Sequence, residues 1–107
     1  METISNEKHI ERFLIPFKAN TEKICKQIIK LFLKYSSNNK QLEVILSGLE
    51  GAVVVTMDIG LEIQANSKDS GCYIQIKDVF TSYEDIESNV TGNIDKRAKI
   101  EIVLINN

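Results

Sequence analysis

Most active sites need a nucleophile, a base and a group that orients them, and this sequence of 107 residues offers few such groups. Its one histidine, His9, stands close to the N-terminus, where a lone imidazole reads as a solvated surface residue rather than a general base. Cys25 and Cys72 lie about fifty residues apart, which makes neither a disulfide framework nor a metal knuckle. A single histidine cannot complete a zinc site with them. No GxSxG elbow, Walker A loop or GxGxxG turn occurs. Gly48 and Gly51 bracket Leu49-Glu50 ahead of what reads as a strand. A phosphate loop follows a strand and opens a helix, so these glycines read as a turn. The acidic residues Glu84, Asp85 and Glu87, with Asp95 beyond them, do not follow the spacing of a calcium loop. No catalytic residue, metal ligand or cofactor is assigned, and the chain is expected not to be an enzyme.

Charge gives a more concrete lead. The net charge is only −2, yet residues 1–40 carry eight basic and four acidic side chains, while residues 41–107 carry five and eleven. Lys23, Lys26, Lys30 and Lys34 recur at helical spacing, which sets four ammonium groups in one line. Such a stripe could follow a phosphate backbone or meet an acidic protein surface. Two arginines and an excess of acidic over basic residues argue against a dedicated nucleic-acid binder. A lysine-lined face is also what a soluble amphipathic helix shows anyway.

The stripe requires a helix over Thr21–Ser37, capped by Asn20 or Thr21 with Glu22 in its first turn. Its opposite side collects Ile24, Cys25, Ile28, Leu31, Phe32 and Tyr35, and Ile29 and Leu33 widen the apolar arc to about 200°. That arc exceeds what one sheet covers, so a further helix or a second copy of the chain is expected over it. Ahead of this helix, Ile10, Phe13, Leu14 and Phe17 follow the helical template, but Pro16 interrupts them. A short helix ending near Ile15, a kinked helix, or an edge strand over residues 12–18 all fit. Residues 42–49 suit helix and strand equally. From Ala52 the pattern predicts a buried strand over 52–57, a turn at Asp58-Ile59-Gly60, a strand over 61–65, a polar loop at 66–71 and a strand over 72–77. Residues 81–97 read as polar connection with a helical turn near 83–88, and 100–105 as a closing strand.

Residues 40–65, KQLEVILSGLEGAVVVTMDIGLEIQA, resemble the front of a roadblock/LC7 domain in their order of helix, glycine-containing loop, strand, turn and strand. That family would next supply a long helix. Here a polar loop and another strand are expected instead, and the family's properties are not carried over.

The expectation is one α+β domain over 1–107, helical in 1–40 and β-rich in 41–107. An N-terminal amphipathic helix or helix pair packs on one face of a mainly antiparallel sheet of four to five strands. No apolar run reaches the roughly 20 residues of a membrane span, and no signal-peptide core is visible near the N-terminus. A cytoplasmic protein with reduced cysteines and an unused sequon at Asn89-Val90-Thr91 follows. The favoured function is a non-enzymatic protein-interaction module, an adaptor, inhibitor or immunity-type protein of bacterial or phage type, working as a homodimer. Ile29, Leu33, Ile100, Ile102 and Leu104 are the candidate interface, the last three on a strand free to pair across a two-fold axis. Lys23, Lys26, Lys30 and Lys34 are the candidate partner-binding residues. A nucleic-acid-binding regulator using those lysines is the alternative, and a small-ligand-binding domain is a further one.

Overall fold

The computed structural model describes residues 8–87 and 92–106; the sequon at 89–91 and most of the segment read against a signal peptide fall outside them. The described elements are β1 (Lys8–Leu14), α1 (Thr21–Ser37), β2 (Gln41–Leu49), α2 (Ala52–Ser67), β3 (Ile74–Glu87) and β4 (Ile94–Asn106). Two helices pack on one face of a four-stranded mixed sheet of order β1-β2-β4-β3. The β1–β2 pair is parallel, and β2–β4 and β4–β3 are antiparallel. The α+β class agrees with expectation. Helical and β-rich halves do not, because β1 precedes the first helix and α2 follows β2.

Pro16 decides the first element. It cannot donate within a helix and disfavours helical geometry at Ile15, so residues 8–14 take the extended form and pair with β2. This is the edge-strand option, displaced so that Pro16 falls in the following loop. The Ile15 amide still donates to the Ser47 carbonyl at 2.8 Å, and its side chain is buried. The expected amphipathic helix is α1: the Asn20 carboxamide accepts from the Lys23 amide at 3.1 Å, and Cys25, Ile28, Ile29 and Phe32 are buried.

Residues 52–67 depart furthest from expectation. They form the single helix α2, not two strands around a turn. Ala52, Thr56, Ile59, Gly60, Ile63 and Ser67 are buried at helical spacing and face the sheet and α1. Gly60 belongs to the helix interior, where a side chain would press on Ile102. Val54, Met57 and Leu61 put large apolar side chains on the outward face as well, beside Asp58, which blurs the one-sided signal that reveals a helix. The polar region expected over 81–97 departs for a related reason. Residues 81–87 continue β3 and residues 94–97 begin β4 as a two-stranded arm beyond the helices, with Glu84 opposite Arg97 and Asp85 opposite Lys96. Opposite charges in facing positions support a ribbon that has no core to rest on.

Cys25 sits against α2, its thiol 3.8 Å from the Ile59 carbonyl oxygen. Burial, reinforced by the Glu62 carboxylate, pushes that thiol up to about 12, and burial also raises Cys72. Unfolding frees Cys25 to ionise at its ordinary value of 9.0, so the folded state binds the extra proton in between. Stability from this group is complete below pH 9 and is lost as pH climbs toward 12. At pH 8 a thiol reagent is expected to label Cys25 only on unfolding. Rapid labelling of the native protein would contradict this burial.

Candidate nucleic-acid interface

The outward side of α1 carries Lys23, Lys26, Lys30 and Lys34, all exposed. At about 1.5 Å of rise per residue they span about 17 Å, the length of about five base steps along one strand of a duplex. Lys26 is held at 2.9 Å by Glu22, whose carboxyl its ammonium keeps below the usual range. Lys23, Lys30 and Lys34 form no ion pair among the described residues. A shallow groove of about 350 Å³ runs between Asn20, Glu22, Lys23, Lys26, Gln27 and Lys30. The four expected partner-binding lysines therefore occupy one accessible face.

The strand directions gather several further groups at one end of the molecule. The β1–α1 loop, the β2–α2 turn and the β3–β4 arm all lie there, since Leu49 pairs with Lys99 and the Glu50 amide donates to the Ala98 carbonyl at 2.8 Å. The turn leaves a strand and opens a helix, the reverse of the context expected for Gly48 and Gly51. Within it Glu50 takes a positive φ of 51° and Gly51 caps α2. A Cβ on Gly51 would stand 2.7 Å from the Phe17 ring, so that ring lies directly on the glycine while 65% exposed. Lys18 follows it in the loop. Sequence reasoning placed Phe17 in a helical pattern and missed this exposure, which depends on the fold bringing the β1–α1 loop over Gly51.

The arm is not itself a basic surface. Arg97 and Lys96 of β4 stand opposite Glu84 and Asp85, with Asp95 next to Lys96 in the chain. Among the described residues no His, Cys, Asp or Glu group assembles that could hold a metal ion. The open face of the sheet is also charge-balanced: Glu43, though buried, meets Lys8 at 2.9 Å and Lys77 at 3.8 Å, and Arg12 lies 3.7 Å from Glu101. These contacts depend on strand order and were not legible from residue spacing.

The expected dimer residues are placed differently from their rationale. β4 lies between β2 and β3 and has no free edge, and Ile100, Ile102 and Leu104 are buried beneath the helices. Ile29 is buried and Leu33 is packed against the same core. The apolar side chains left exposed are elsewhere. Val54, Met57 and Leu61 form an i, i+3, i+7 stripe on α2, 66%, 44% and 55% exposed, and Val79 on the edge strand β3 is 52% exposed. No helix among the described residues is long and apolar enough to cross a membrane.

No protein-family model matches this sequence, and no curated protein matches it either. The chain is similar to a solved structure titled Alba from Thermoplasma volcanium, with a TM-score of 0.63 over 88% of this chain and 98% of that one. Sequence identity is 16%, so what the two share is the arrangement of two helices on a four-stranded sheet.

Proposed function

We propose that this chain is a non-enzymatic nucleic-acid-binding module that works as a homodimer. The observation that carries the reading is the α1 stripe: four exposed lysines in one line, three of them without an ion-pair partner among the described residues. Surface lysines gain little from isolated acidic neighbours, but a regular row gains from a polyanion by releasing its condensed counterions. Lys18 in the adjoining loop extends this row of exposed basic groups. With Lys rather than Arg in the row, the ligand is held by its backbone and not read by base sequence.

The homodimer retains the interaction module favoured from the sequence and moves its interface. Three large apolar side chains, Val54, Met57 and Leu61, stand exposed on the side of α2 turned away from the core, beside the exposed Asp58, more apolar surface than a solvated helix face carries. A second copy, laid across Val54, Met57, Leu61 and Val79, would cover that side and set two lysine stripes on one particle. Such an isologous contact uses the same patch twice.

Replacing Lys26 and Lys30 together by glutamate tests the binding reading. Fluorescence anisotropy with a labelled oligonucleotide at low salt is expected to show affinity falling about 100-fold, because two attractive contacts become repulsive. Both positions are exposed, so the thermal transition should be nearly unchanged. Undiminished binding by the double variant would refute the stripe as the contact.

A further inference from the structure

Resting on that reading, we infer that Phe17 and Tyr83 form two stacking platforms for unpaired bases, which makes single-stranded nucleic acid the preferred ligand. The Phe17 ring lies against Gly51, its Cδ2 and Cε2 atoms nearest, and is 65% exposed. A large apolar ring this open, and supported from behind by backbone, is held ready rather than packed away. Tyr83 is 73% exposed on the arm. It pairs with Ala98, whose carbonyl accepts from the Glu50 amide of the turn that carries Gly51. The rings thus stand at the same end of the molecule, separated by that turn and by β4. Two strand spacings, about 10 Å, separate Tyr83's strand from the turn on which Phe17 rests, a span that an extended single strand can bridge.

Their ionic surroundings fit the same ligand. Lys18 adjoins Phe17, Lys23 lies in the first turn of α1 and Lys96 lies two residues before Ala98 on Tyr83's side of the arm. Facing them are Glu22, already engaged with Lys26, and the exposed Glu50 and Asp85, the latter opposite Lys96. Base–aromatic stacking is tolerant of sequence because every base has a π-face. In a duplex those faces are covered, and exposing them costs unstacking. The lysines alone would accept either form; the two rings distinguish them.

The test uses the full chain and 20-nucleotide probes: oligo-U RNA, oligo-T DNA and a mixed-sequence DNA duplex. Phe17→Ala and Tyr83→Ala are each expected to weaken both single strands about 5- to 100-fold and leave duplex affinity unchanged. Phe17→Leu, which keeps an apolar group on Gly51, should lose nearly as much, and thermal melting of each variant controls for folding. Equal losses on single strand and duplex would overturn the inference, as would losses confined to RNA, which belong to a sugar contact. If the substitutions are silent while Lys26→Glu/Lys30→Glu abolishes binding, the stacking inference fails and the function stands. If the unaltered protein binds none of the three probes, both fail.

Discussion

Replacing Gly48 by alanine is expected to destabilise the protein by about 3 kcal/mol, at the upper end of the cost of overpacking. Gly48 lies in β2 opposite Ile100, on the side facing α2. A Cβ there would overlap the Thr56 hydroxyl and stand 2.7 Å from the Ala52 carbonyl oxygen. Neither group can withdraw cheaply. Thr56 is fully buried, and its hydroxyl donates to that same carbonyl at 2.6 Å. Ala52 begins the helix one residue after the tight turn. Chemical denaturation measures the loss, and a change below about 1 kcal/mol would mean that α2 sits further from β2 than described. Adding Thr56→Ala should restore only part of it, since the carbonyl clash persists.

A glutamate at position 61 should separate the proposed dimer into monomers. Leu61 is 55% exposed in the single chain, so the substitution asks little of the fold itself. In an isologous contact it appears twice. Each copy forfeits burial of the exposed part of a leucine, about 1 kcal/mol, and adds a charge that must be desolvated. Self-association is expected to weaken about 100-fold or more. Light scattering at micromolar concentration should report twice the chain mass for the unaltered protein and one chain mass for Leu61→Glu. A monomeric parent, or a variant that remains paired, would remove the α2 face as the interface.

These two sites illustrate which parts of the molecule were visible in its residues. Helix α1 was legible to its ends, because Asn20, the buried Cys25–Ile28–Phe32 side and the lysine row each report the same 3.6-residue period. The row itself was therefore readable as a candidate contact. Helix α2 was not legible, since its β-branched run Val53-Val54-Val55-Thr56 carries strand propensity and large apolar residues stand on its exposed side as well. What selects the helix is tertiary: Gly48 admits the Thr56 side of α2 against β2. The arm hid for the opposite reason. Its strands have no buried face to impose alternation, and the pairing of Glu84 with Arg97 exists only once the register is set. Misassigning these segments also misplaced the candidate interface, because a closing strand appeared free when it is central. The Phe17 platform needed both the strand status of β1 and the position of Gly51, neither of which follows from local spacing.

The most direct measurement is the salt dependence of binding to a labelled single strand between about 50 and 300 mM salt. Four lysines engaging four phosphates predict a slope of about −3 in log K against log salt. The slope should become shallower by about 1.5 when Lys26 and Lys30 are replaced by glutamate. Absent binding, or binding whose slope is near zero and the same in the double variant, would contradict the α1 stripe as a nucleic-acid contact.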